Sequence, residues 1–123
     1  MTAPRIAPWL SLCRGAEAIA WYEAAFGAAV LHRHANEAGE IVAQLSVHGA
    51  EFWIADDPDL SPETLGGGSV RMILAVDDPD ALFAQAVAAG ATVIADIYEG
   101  HGWRIGRLCD PFGHHWEIGR PLV

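Results

Sequence analysis

Residues 104–118, RIGRLCDPFGHHWEI, repeat in altered form residues 41–55, IVAQLSVHGAEFWIA. The two stretches line up with Gly49 over Gly113 and Trp53 over Glu117, both 64 residues apart. Upstream of each lies a helical pattern. Segment 16–26, AEAIAWYEAAF, puts Ile19, Tyr22 and Phe26 on one face, and Gly27 suits a left-handed helix end. Segment 79–89, PDALFAQAVAA, does the same with Leu82, Phe83, Ala86 and Val87; Asp78 can cap it, Pro79 suits its first turn, and Gly90 follows it. Gly27 and Gly90 are 63 residues apart, and each leads through alanine into a β-rich run, AAVLHRH or ATVIADIY. Each half therefore reads strand, helix, strand, strand, strand.

This pattern predicts one α+β domain. Its two βαβββ modules, approximately 1–64 and 69–123, form curved mixed sheets with the helices on the outer face, joined by a Gly-rich linker at 65–68. The glycines of LGGGSV (65–70) lead into a strand, whereas a phosphate cradle needs them to follow a strand and open a helix, so a flexible linker is the better reading.

Bulk properties narrow the function. The 123 residues, 52% hydrophobic with a mean hydropathy of +0.21, suffice for one sizeable core and are too few for two domains. Sixteen acidic residues against seven basic ones give a formal charge of -9, which disfavours nucleic acid and anionic membrane surfaces as partners. MTAPRIAPWL lacks the basic and apolar regions of a secretory signal, and no apolar run is long enough to span a membrane, so a cytoplasmic location is expected. Cys13 and Cys109 form no CxxC and are expected to be reduced and largely buried.

Alternation along the strands assigns their faces. Trp116 and Ile118 are expected under a helix, with His115 and Glu117 on the opposite face; likewise Phe52 and Ile54 against Glu51, Trp53 and Ala55. In RIAPWLSLC the helix side takes Ile6, Pro8, Leu10 and Leu12, leaving Ala7, Trp9 and Ser11. In VRMILAV it takes Val70, Met72, Leu74 and Val76, leaving Arg71, Ile73 and Ala75. The second face thus collects Trp9, Trp53, Arg71 and Glu117. Such a face is either a small-molecule pocket or a second core or dimer interface, since aromatic side chains are enriched in all of these.

The paired βαβββ pattern, WYEAAFGA (21–28) and WRIGRLCDPFGHHWEIGRPL (103–122) resemble the vicinal oxygen chelate superfamily, which includes glyoxalase I, bleomycin resistance proteins and extradiol dioxygenases. The ending is most similar to the small, single-module PhnB-like branch. The resemblance implies four metal-ligand positions, at Ala7, Trp53, Arg71 and Glu117 in this chain. Only Glu117 can ligate: Ala7 has no donor, Trp53 only an indole N–H, and Arg71 is a permanent cation. No metal cofactor is therefore expected, and Arg71 is expected to take the cation's place beside Glu117 as a forked pair. An improvised divalent site from His32 and His34, or from His115 and Glu117, with His101 or His48 is the minor alternative.

Two activities compete. The first is metal-independent binding of a small, partly aromatic or cationic compound by Trp9, Trp53, Trp103, Arg71, His115 and Glu117. The second is a lyase or isomerase in which Glu117 is the catalytic base; a close Arg71, which favours the charged carboxylate, argues for an ion pair instead. The resemblance also implies a homodimer that closes its cavity across the interface, and a third reading makes the chain an interaction domain covered by a partner subunit. Arg104 is expected to brace the turn through Asp110 or backbone carbonyls, and Asp110, Pro111 and Gly113 to form that turn.

Overall fold

A computed structural model describes residues 3–68 and 70–122. Residues 1, 2, 69 and 123, at the outer limits of the expected halves, lie outside the described residues. The first half runs β1 (Trp9–Leu12), α1 (Gly15–Phe26), β2 (Ala29–Ala35), β3 (Ile41–Val47) and β4 (Ala50–Asp56). The second runs β5 (Arg71–Ala75), α3 (Pro79–Ala88), β6 (Thr92–Gly100), β7 (Trp103–Cys109) and β8 (His115–Pro121). Between them lie a 3-10 turn, Pro58–Leu60, and the one-turn helix α2, Pro62–Leu65, so the connector carries more structure than its glycines suggest. The sheets are ordered β1-β4-β3-β2 and β5-β8-β7-β6, each with one parallel pair and two antiparallel pairs. This is the expected α+β architecture.

The helices end where their punctuation puts them. Gly27 closes α1 at φ 68°, its N–H bonding Glu23 O, and the Asp78 side chain accepts from Ala81 N to cap α3. The start of α1 is capped from a distance. Arg14 offers no side-chain acceptor, and Asp56 at the end of β4 takes the Gly15 N–H at 2.7 Å and the Ile41 N–H at 2.8 Å. A Cβ on Gly15 would lie 2.8 Å from that carboxylate, so glycine is required for the approach.

Both halves share one core. Leu10, Leu12, Phe52, Ile54, Trp116 and Ile118 are buried on the helix side, as their alternation predicts. Tyr22 and Phe26 of α1 meet Trp116 of the second sheet, with Tyr22 edge-on to Phe52 at 5.3 Å and Phe26 tilted on Trp116 at 4.9 Å. Asp110 lies at the centre. One carboxylate oxygen accepts from Tyr22 Oη at 2.5 Å and Trp116 Nε1 at 2.9 Å, and the other from the backbone N–H groups of Phe112 and His114. The carboxylate therefore does more than shape its own turn: it ties α1 to the last strand.

Several expectations are corrected. Ile6 and Val70 are exposed and outside β1 and β5; β1 is an edge strand preceded by Pro4 and Pro8, which have no N–H to extend pairing. Val87 is exposed, and Ala55 shares the face of Trp53, as alternation assigns it, but is buried there. Cys13 and Cys109 are free but only half-buried. Arg104 braces structure through α3 instead of the turn, with Nε and Nη2 on the two Asp80 oxygens at 2.7 and 2.6 Å. That fork holds the Asp80 carboxyl below its ordinary range.

Candidate functional site

The faces turned away from the helices carry equivalent rows. Strand register aligns Trp9, Trp53, Gln44 and His32 across the first sheet, and Ile73, Glu117, Arg107 and Ala95 across the second. The duplication is thus preserved side chain by side chain.

On the first sheet, Trp9 and Trp53 stack at 6.1 Å with planes 20° apart. Beside them Gln44 Nε2 donates to Glu51 Oε1 at 2.7 Å, and Arg5 lies 3.6 Å from the same carboxylate. On the second sheet, Arg71 Nε is 3.5 Å from Glu117 Oε2. The pair is adjacent, as expected, but it makes one long contact, not the forked pair anticipated: strand register places Arg71 opposite His115, one step from Glu117. His115 is half-buried between Arg71 and its β7 neighbour Cys109.

Two hollows flank Glu117 and Arg71. One of about 230 Å³ is walled by Ile73, Tyr98, Trp103, Ile105 and Glu117. The other, about 510 Å³, runs between the lead-in to β1 and strand β5, with Phe52, Trp116, Glu51 and Arg71 among its walls. Trp103 lines the first hollow, whereas Trp9 and Trp53 stand on the other sheet.

Two of the alternative metal donors, His48 and His101, occupy tight turns. His48 (φ 50°) with Gly49 (φ 95°), and His101 (φ 53°) with Gly102 (φ 81°), form the two-residue turns joining β3 to β4 and β6 to β7. Two successive positive φ values are the signature of tight hairpin turns, and histidine tolerates that region better than most residues. Among the described residues no three His, Cys, Asp or Glu side chains gather as a metal site.

Residues 12–119 match the family described as glyoxalase-like domain. The chain belongs to this family. Through it the glyoxalase-like chain joins the vicinal oxygen chelate superfamily. Uncharacterized proteins of Mycobacterium bovis and Mycobacterium tuberculosis are 37% identical to it, over 97% of this chain and 84% and 75% of theirs. TioX from Micromonospora sp. ML1 superposes with a TM-score of 0.74 at 26% identity, over 98% of both chains. The fosfomycin resistance protein FosX of Listeria monocytogenes superposes with a TM-score of 0.78 at 13% identity, over 98% of this chain and 95% of that one, a likeness of fold alone.

The superfamily's divalent metal can be tested against this donor set. Ala7 is exposed ahead of β1, Trp53 stacks on Trp9, and Arg71 brings a fixed positive charge within 3.5 Å of Glu117. One carboxylate beside a guanidinium does not make the three protein donors that a catalytic divalent site requires. The residues present do not fit the ion.

Sequence reasoning passed over Arg107, noted only as part of WRIGR. Alternation from Glu117 through the adjoining strand places it on the same face, opposite Glu117. Its side chain is half-buried, and its Nε is buried without a hydrogen-bond partner.

Proposed function

We propose that this glyoxalase-like protein binds a small organic compound with aromatic character on the open face of its sheets, without a divalent metal, and that a second copy of the chain covers that face. The observation that carries this reading is Arg71 Nε at 3.5 Å from Glu117, two of the superfamily's metal positions now holding a cation and its counter-charge within the protein itself. A guanidinium retains the ability to orient a polar ligand and gives up chelation. The flanking hollows, with Tyr98 and Trp103 in one and Phe52 and Trp116 in the other, supply the apolar, aromatic walls that small organic molecules favour.

Closure by a second copy is supported by the apolar side chains left open. Trp9 is 55% and Ile73 62% exposed, and both lie on the face that carries Glu117 or its first-sheet equivalent. Covering them removes apolar surface from water. Among the described residues no helix is long and apolar enough to cross a membrane.

The lyase or isomerase reading keeps one supporting observation, Glu117 at the wall of the 230 Å³ hollow, where a bound carbonyl compound could meet it. Arg71 weighs against it by position, its Nε standing 3.5 Å from Glu117 Oε2 where a substrate proton would have to approach. The deciding experiment combines metal analysis with a thermal-shift screen of aromatic acids, amides and amines and with sedimentation. The proposal predicts no stoichiometric divalent metal, a ligand-dependent rise in Tm and a dimer at micromolar concentration. Stoichiometric metal with activity abolished by a chelator overturns it. If turnover is found, its survival in Glu117→Gln excludes that residue as the base.

A further inference from the structure

We infer that Arg107 is the anion-recognition residue of this site and that the bound compound is an aromatic monocarboxylate. This rests on the small-molecule reading above and names the ligand's chemical class.

The two halves supply the comparison. Gln44 and Arg107 hold equivalent places, opposite Trp53 and Glu117 respectively. In the first half, Gln44 is satisfied within the sheet by Glu51 at 2.7 Å. The second-half equivalent of Glu51 is His115, 64 residues on, which carries no acid. The second half thus carries a guanidinium where the first carries an amide and a histidine where the first carries Glu51, while Glu117, opposite Arg107, pairs with Arg71 instead. Arg107 makes no ion pair among the described residues, although the chain carries 16 acidic side chains and a net charge of -9. Its Nε is shielded from solvent without a partner, and a buried donor left unmatched is unfavourable unless something else supplies the acceptor.

Charge then selects the ligand. Arg71 and Arg107 both flank Glu117 on this face, so two guanidinium charges face one carboxylate and leave one positive charge. A monocarboxylate neutralises that excess, whereas a phosphate dianion exceeds it. The planar fork of arginine matches the two oxygens of a carboxylate. Beside Glu117, the hollow walled by Tyr98, Trp103 and Ile105 takes the ring that such an acid carries. The cationic ligand left open by composition is disfavoured, because it would meet Arg71 and Arg107 before it met Glu117.

Three probes sharing one ring separate the possibilities: indole-3-acetate, indole-3-acetamide and tryptamine, titrated calorimetrically into the full chain and into its Arg107→Gln and Arg107→Lys variants. The acid is expected to bind at least tenfold more tightly than the amide, and the amine more weakly than both. Arg107→Gln should bring acid and amide within about twofold of each other, chiefly by weakening the acid, and Arg107→Lys should recover only part of the preference. In the unmodified protein, the Arg107 Nε–H resonance should shift on saturation with the acid and not with the amide, a measurement independent of variant folding. Equal binding of acid and amide, preference for the amine, or an acid preference that survives Arg107→Gln overturns the inference and leaves the cavity reading standing. A change in dimerisation with Arg107→Gln at unaltered acid affinity also overturns it, because the partner of Nε is then the second copy. Failure of all three probes to bind overturns the inference, and the cavity reading is then decided by the wider screen above.

Discussion

Arg71 Nε stands 3.5 Å from Glu117 Oε2 although strand register sets Arg71 opposite His115 and Ile73 opposite Glu117. The guanidinium reaches diagonally along the sheet, and its side chain remains 52% exposed against 22% for Glu117. Solvent screening at such a position leaves an ion pair worth little. Arg71→Ala or Glu117→Gln is therefore expected to change the unfolding free energy by less than about 1 kcal/mol, in place of the 3–5 kcal/mol that loss of one partner in a buried pair would cost. Urea titration of both variants checks this, and a loss of several kcal/mol would refute the exposed-pair description.

Asp110 presents the opposite case. It is 4% exposed and accepts four hydrogen bonds, from Tyr22, Trp116 and two backbone N–H groups. Asp110→Ala strands all four donors in the core and is expected to cost about 3 kcal/mol or more. Asp110→Asn, which keeps one acceptor oxygen, should cost less. Calorimetric unfolding of the pair gives the order, and equal stability of Asp110→Ala and the unmodified chain would contradict it.

Tyr22 confers a pH dependence. Burial, and after it the negative charge of Asp110, pushes its hydroxyl well above the ordinary 10.0. The unfolded chain releases this proton near that ordinary value while the native chain retains it. The resulting stability is present in full below about pH 10 and is lost as pH rises through the native value. Tyr22→Phe is expected to lower stability by about 1–2 kcal/mol at neutral pH and to flatten the alkaline limb of the stability curve. Urea midpoints measured from pH 7 to 11 test both effects.

Gly15→Ala probes the remote cap. The new Cβ would stand 2.8 Å from an Asp56 oxygen whose carboxylate is pinned by the Gly15 and Ile41 N–H groups. The carboxylate cannot swing away without releasing one of them, so a loss of about 1–2 kcal/mol is expected despite alanine's better helix propensity. Hydrogen exchange should show it first, as faster exchange at the Gly15 and Ile41 amides; unchanged exchange there would show that the cap tolerates the methyl group.

Much of this architecture is legible in one dimension because its determinants are local or repeated. Gly27, Asp78 and Pro79 punctuate the helices through their own backbone preferences, and alternation in HHWEI and EFWIA assigns each side chain to a face without knowledge of its partner. Duplication then makes each half a check on the other. The turn histidines are less legible for the converse reason: His48 and His101 enter the sequence reading only by side-chain chemistry, yet each is half of a tight turn defined by backbone torsions.

Composition and periodicity were enough to specify two βαβββ halves, a shared apolar side and an open face bearing Trp9, Trp53, Arg71 and Glu117, because burial pattern and turn chemistry act within a few residues. Which distant groups meet was fixed only by folding. Asp56 capping α1, Asp110 binding Tyr22, Arg104 gripping Asp80 and Arg107 left without an acceptor all join positions from different elements. Such contacts depend on sheet register and on the direction each side chain takes in three dimensions, to which sequence spacing is blind.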